Sequence, residues 1–123
     1  MTIDIDTTYG QINVSSEVIA TIAGGAAVDC YGIVGMASQH QLKDGLTELL
    51  GRDNFGRGIV VHNEDDNLTI DMYIIVSYGT KISEVARLVQ TKVNETIEQM
   101  LGIKIGAINI FVQGVRLKNG QMM

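Results

Sequence analysis

The chain has 123 residues, a formal net charge of -5 and 46% apolar residues, which suits one globular domain. Its 9 basic residues are outnumbered by 14 acidic ones, which argues against nucleic acid, because phosphates are neutralised by clustered Lys and Arg. The same charge disfavours an anionic membrane surface. We expect a single domain over residues 9–117, between a flexible lead over residues 1–8 and a flexible end over residues 118–123.

Several features predict a cytoplasmic protein. The first residues lack the basic and apolar regions of a signal peptide. Cys30 is the only cysteine, so no intrachain disulfide is possible. The longest charge-free apolar run covers residues 18–28, about half of the ~20 residues that a membrane helix needs. We therefore expect a reduced protein that does not insert directly into a membrane.

The first half of the chain predicts a strand, a helix and a further strand. Residues 9–14 favour a short strand, and Ser15 or Ser16 suits the N-cap of a helix with Glu17 in its first turn. Residues 31–37 favour a strand or two short extended pieces. Residues 39–50 are weakly helical, and residues 51–58 are typical of a loop. Apolar residues recur at helical spacing after the cap, at Val18, Ile19, Ile22, Ala23 and Ala26.

A hairpin is predicted over residues 59–63 and 68–78. Alternation in its second strand gives two faces, because successive side chains of a strand point to opposite sides. The first face is wholly apolar, whereas the second is half polar. The first comprises Leu68, Ile70, Met72, Ile74 and Val76, and the second Thr69, Asp71, Tyr73, Ile75 and Ser77.

The strongest pattern is an amphipathic helix over residues 80–101, followed by Gly102 as a left-handed cap. A last strand is predicted over residues 105–112. Two main helices and four or five strands predict the α+β class, as a two-layer sandwich. We expect a mixed or antiparallel sheet with both helices on one face. The helical stripe comprises Ile82, Val85, Ala86, Val89, Val93, Ile97 and Met100.

The sequence offers no set of residues for catalysis. Cys30, His40 and His62 are too far apart in sequence to show the short ligand spacing of a zinc site. Cys30 falls at the end of a predicted helix, where nothing would lower the pKa of its thiol. We therefore expect no catalytic residue, no metal ligand, no cofactor and no enzyme activity.

Two candidate sites remain. The loop over residues 51–58 places Arg52 and Arg57 among glycines, which suits an anion, although it is not a P-loop. Alternatively, Tyr73, Ile75 and Phe111 would form an exposed apolar patch for a partner, if the helices cover only the other face of the sheet. The N-terminal strand or the segment 39–50 would otherwise cover that patch.

Four segments carry a resemblance to a known family. They are residues 15–23, residues 30–38, residues 71–79 with 81–85, and residues 108–115. Together they make the chain similar to the alkaline-shock and general-stress proteins of Gram-positive bacteria, which take part in the envelope stress response. The short chain is most similar to the minimal, housekeeping-type members.

The resemblance implies a non-enzymatic cytosolic protein tied to cell-envelope homeostasis. It implies self-association into a homo-oligomer and protein partners, including a small membrane-anchored protein. Two classes of function stay open. One is an interaction or scaffold protein that uses Tyr73, Ile75 and Phe111. The other is a regulatory module that binds a small anion or metabolite through Arg52 and Arg57.

Overall fold

The computed structural model describes residues 2–37, 58–64 and 67–117. It confirms the predicted α+β class, with two helices against one face of a mixed sheet. A separate two-stranded sheet is formed by the first two strands. In chain order the elements are β1 (Thr2–Thr7), β2 (Gly10–Ser15), α1 (Ser16–Val28), β3 (Ile33–Met36), β4 (Ile59–Glu64), β5 (Asn67–Ser77), α2 (Ile82–Leu101) and β6 (Ala107–Arg116).

β5 is the central strand of the four-stranded sheet. β6 runs parallel to it along nearly its whole length, from Thr69↔Ala107 to Ser77↔Arg116. β3 and β4 both run antiparallel to β5. Because β6 occupies one edge of β5, β3 and β4 share the other edge and lie end to end along it. The edge of the sheet opposite β6 therefore consists of two consecutive strands, β3 and β4, with a break between them.

The interruption between β3 and β4 lies beside Tyr73. The Ala37 amide donates to the Tyr73 carbonyl oxygen over 2.9 Å. A Cβ atom at Gly58 would lie 2.7 Å from the Ala37 carbonyl oxygen and 3.0 Å from the Cβ of Met36. The chain thus leaves the sheet after Ala37 and returns at Gly58 within van der Waals distance. Only glycine fits at this point without displacing backbone.

α1 begins where the sequence predicted. The Ser15 hydroxyl accepts from the Val18 amide over 3.3 Å, which satisfies one of the free donors of the first turn. The buried face of the helix is built mainly of small residues, so its backbone approaches α2, β3 and β4 closely. That face comprises Ile19, Ala20, Ala23, Gly24, Ala26 and Ala27.

α2 follows its predicted stripe. Val85, Val89, Val93 and Ile97 are buried at a spacing of four residues, against the face of β5 that was predicted to be wholly apolar. Ile82 and Met100, at the two ends of the same stripe, stay exposed because the helix extends past the core. The predicted cap is confirmed: Gly102 has φ +71°, and its amide donates to the Glu98 carbonyl over 2.9 Å.

The N-terminus differs from the flexible lead expected over residues 1–8, because Thr2–Thr7 form β1. Ile3 of β1 lies opposite Val14 of β2, and Ile3 is buried in the core that Val14 packs against. Only Ile3 and Ile5 alternate in this stretch, which is too short a pattern to predict a strand. The strand is recognised from its pairing with β2. The domain limits at residues 9, 117 and 118 remain predictions. The predicted helix over residues 39–50 lies outside the described residues.

We predict that Val89→Asp destabilises the domain by more than about 3 kcal/mol, because it places an unpaired carboxylate in the core. Val89 is fully buried, as the sequence predicted. Thr91→Asp adds the same charge to an exposed position of the same helix and is the matched control. Thermal unfolding followed by circular dichroism measures both. Equal melting temperatures for the two variants would contradict this placement of the helix.

We also predict opposite effects for alanine at two glycines. Gly58→Ala should destabilise the domain by about 2 kcal/mol, because the new Cβ meets the Ala37 carbonyl. Gly25→Ala in α1 should be neutral or stabilising by up to about 1 kcal/mol, because its Cβ meets nothing within 4 Å and alanine favours helix. Urea unfolding at equilibrium compares the two. A Gly58→Ala variant as stable as wild type would contradict the close approach of β3 and β4.

Candidate interaction face

The side of the four-stranded sheet that faces away from the helices is here called the outer face. Its central positions come from the second, half-polar face of β5. Side chains from β4 and β6 extend it on both sides, as the strand register requires. The outer face comprises Val60, His62 and Glu64 of β4, Thr69, Asp71, Tyr73, Ile75 and Ser77 of β5, and Ala107, Asn109 and Phe111 of β6.

An aromatic pair lies at the centre of the outer face. Tyr73 and Phe111 are direct partners in the parallel register of β5 and β6. Their ring centroids are 5.0 Å apart and the ring planes differ by 17°, which is a stacked arrangement. Phe111 is 40% exposed, and Tyr73 is half-buried. Two of the three residues predicted for an interface are therefore brought into contact on the outer face, where Phe111 is the more exposed of the two.

Ile75, the third predicted interface residue, is fully buried. The expectation that its side chain is exposed is therefore wrong. Ile75 lies between Gly35 of β3 and Gly114 of β6, so neither lateral neighbour supplies a side chain beside it. Strand alternation fixes the side on which a residue lies, whereas exposure depends on what packs there. Ile75 therefore offers no exposed side chain to a partner.

A polar cluster borders the aromatic pair. Both carboxylate oxygens of Asp71 have partners: Asn109 Nδ2 donates to Oδ1 over 2.9 Å, and His62 Nε2 lies 3.1 Å from Oδ2. The cluster joins β4, β5 and β6 across the outer face. Asp71 lies on the face that the sequence predicted to be half polar, but its contacts with Asn109 and His62 were not predicted. The contact with His62 depends on the hairpin register, which places His62 diagonally across from Asp71.

A shallow depression of about 340 Å³ adjoins this cluster and is lined by His62, Glu64, Asn67 and Thr69. Its lining is polar. Within residues 2–37, 58–64 and 67–117, no three His, Cys, Asp or Glu side chains are grouped so that they could hold a metal ion. The depression is therefore a polar part of the surface on the side of the Asp71 cluster that includes His62.

Cys30 follows the end of α1 and is half-buried. Burial raises the pKa of its thiol, with a smaller contribution in the same direction from Asp29 and an opposing one from Lys92. The thiol lies 3.6 Å from the Ala26 carbonyl oxygen and donates to it. A raised pKa favours the thiol over the nucleophilic thiolate at neutral pH. Cys30 thus has the environment of a structural residue.

The second predicted site cannot be placed, because Arg52 and Arg57 lie outside the described residues. Gly58, which ends that predicted loop, is buried beside Ala37. Neither α1 nor α2, the helices of the described chain, is both long and apolar enough to cross a membrane.

The fold and the outer face define a small α+β protein whose sheet carries a partly exposed aromatic pair beside a hydrogen-bonded polar cluster. The chain belongs to the alkaline shock protein 23 family, whose model matches residues 4–117 and is described as having a cell envelope-related function. This confirms the family resemblance that the four sequence segments carried.

Curated relatives cover almost the whole chain. YloU of Bacillus subtilis, described as uncharacterized, is 63% identical over 97% of this chain and 99% of its own length. Spy1614 of Streptococcus pyogenes is 40% identical over 95% of this chain and 97% of its own. YqhY of Bacillus subtilis is 36% identical over 90% and 81%. No solved structure matches the chain.

Proposed function

We propose that this chain is a non-enzymatic interaction or scaffold protein of the cytoplasm, which serves the cell envelope through protein partners and self-association. The observation that carries the proposal is the stacked pair of Tyr73 and Phe111 on the outer face. An aromatic group at the centre with polar residues around it is the usual anatomy of a protein interface.

The energetics of the aromatic pair favour docking. Covering the exposed two-fifths of Phe111 removes on the order of 80 Å² of apolar surface from water and contributes about 2 kcal/mol. The pair is already stacked, so little side-chain freedom remains to be lost on binding. Asp71 keeps its two hydrogen-bonding partners within the chain, so a partner need not supply new ones.

The partner that fits an envelope role is a protein with its own membrane anchor. The net charge of -5 makes direct attraction to anionic lipid unfavourable. The family description links the chain to the envelope. A small membrane-anchored protein that docks on the outer face would supply that link without any insertion of this chain.

We predict that Tyr73→Ser with Phe111→Ser weakens complex formation about tenfold or more, because two adjacent aromatic anchors are lost. Tagged wild type and variant are compared in native extracts by affinity capture, with the retained proteins quantified. The matched control is Tyr9→Ser with Tyr31→Ser, which removes two exposed rings elsewhere on the surface. Unchanged melting temperatures show that each variant is folded.

Equal capture by all three proteins would contradict docking on the outer face. Loss of capture only in the control variant would move the docking surface to the β1–β2 turn or to the start of β3, where Tyr9 and Tyr31 lie. Either result overturns the assignment of the outer face.

We also propose that the protein has no enzyme activity, because neither His62 nor Cys30 has the surroundings of a catalytic residue. His62 is engaged by Asp71, and no hydrogen bond to the imidazole from a Ser, Thr or Cys is found among the described residues. Burial disfavours the Cys30 thiolate. We predict that the purified protein turns over no member of a broad hydrolase, transferase and redox substrate panel. Turnover that is lost on His62→Ala or Cys30→Ser would contradict this.

A further inference from the structure

β6 has a free edge. It is a strand of ten residues that pairs with β5 on one side, and within the described part of the chain no strand pairs with its other side. Unpaired backbone amides and carbonyls along such an edge are a template for another strand. Proteins that stay monomeric normally protect an edge of this length with charges, proline or a covering segment.

Within the part of the chain that the structure describes, little protects the free edge of β6. Residues 107–115 contain no charged residue and no proline. The side-chain amide of Gln90 donates to the Ile108 carbonyl over 2.9 Å, which occupies one acceptor near the start of the strand. A register shift near Gly114 bends the other end. Neither the hydrogen bond from Gln90 nor the register shift protects the middle of the strand, from Asn109 to Val112.

The core-side residues of β6 indicate that this edge is incompletely covered. Ile108, Ile110 and Val112 pack against the core but are only partly buried, whereas Ile70, Met72 and Ile74 beside them on β5 are fully buried. The difference arises because β5 has a strand on both sides and β6 has one. A strand added beyond β6 would cover these three side chains.

We propose that a second copy of this chain pairs with this edge, strand β6 against strand β6 in antiparallel orientation about a two-fold axis. Residues directly opposite in an antiparallel pair lie on the same face, so a symmetric pairing is centred on one residue. Matching the whole uncharged stretch 107–115 of both copies centres the pairing on Phe111. The stretch carries no charge, so pairing it with itself brings no like charges together.

The area is sufficient for a weak or moderate dimer. The nine paired residues span about 30 Å. A sheet layer and a helix layer are each about 10 Å thick, so the joined edges bury on the order of 600 Å² per copy. Stable interfaces bury roughly 800 Å² per partner, which leaves this one slightly below the standard size.

The dimer is a specific form of the self-association proposed above and in that respect rests on the proposed function, but it does not depend on partner docking. A two-fold axis perpendicular to the sheet keeps the helices of both copies on one side and joins the two outer faces on the other. The Tyr73–Phe111 pairs of the two copies then adjoin. A partner with two docking segments would be held by both, which raises its affinity through effective concentration.

The first test is a lysine at the centre of the edge. Phe111→Lys places two like charges opposite each other and should weaken dimerisation at least about tenfold. Leu88→Lys, at a 50% exposed position of α2, is the matched control and should leave it unchanged. Tyr73→Ser, one strand inward, should weaken dimerisation much less than Phe111→Lys. Sedimentation over a concentration series measures all four proteins, with melting temperatures to confirm folding.

The second test fixes the register. In a Cys30→Ser background, Phe111→Cys should form a disulfide-linked dimer on mild oxidation, because opposite residues of an antiparallel pair lie within disulfide distance. Leu88→Cys should not. Efficient cross-linking of Leu88→Cys instead would overturn the proposal.

The two proposals fail in different ways. A wild-type monomer at every concentration overturns edge pairing and the proposed self-association, and leaves partner docking untouched. A dimer that survives Phe111→Lys overturns edge pairing alone. Equal losses for Tyr73→Ser and Phe111→Lys would place the contact between copies on the outer face and also overturn edge pairing. Dimerisation without any capture of partners on the outer face refutes the proposed function alone.

Discussion

The pairing of β5 along both edges is the constraint on which the rest of the molecule depends. β6 lies along one edge, and β3 and β4 share the other, so the backbone polar groups of β5 find partners within the sheet. Its two sides then serve different purposes. One side is the apolar surface on which both helices pack, and its residues Ile70, Met72 and Ile74 are fully buried. The other side becomes the outer face.

Periodicity predicted the elements that are long and have one apolar side. The stripe of α2 and the alternation of β5 each repeat four or five times, so both elements were predicted correctly. β1 was missed because only Ile3 and Ile5 alternate, and the strand is stabilised by its pairing with β2 rather than by its own pattern. The exposure predicted for Ile75 was wrong because a two-residue period carries no information about what packs on each face.

The outer face illustrates the same limit. Alternation placed Tyr73 and Phe111 on one side of the sheet, but only the parallel register of β5 and β6 brings their rings to 5.0 Å. That register is set by the α2 crossover, which no local pattern encodes. The polar cluster depends on two strand registers, that of β4 with β5 and that of β5 with β6. Asp71 contacts His62, nine residues before it, and Asn109, 38 residues after it.

β6 presents two independent surfaces, because the side chains of a strand stand perpendicular to its backbone hydrogen bonds. Phe111 and Asn109 belong to the outer face, whereas the amides and carbonyls of the same residues lie in the plane of the sheet. The proposed partner on the outer face and the proposed second copy along the sheet edge would therefore use different parts of β6. The two contacts have perpendicular directions, and the side chain of Phe111 belongs to both. Backbone pairing along the edge would therefore be compatible with a partner above Tyr73, whereas a change at Phe111 would affect both proposed contacts.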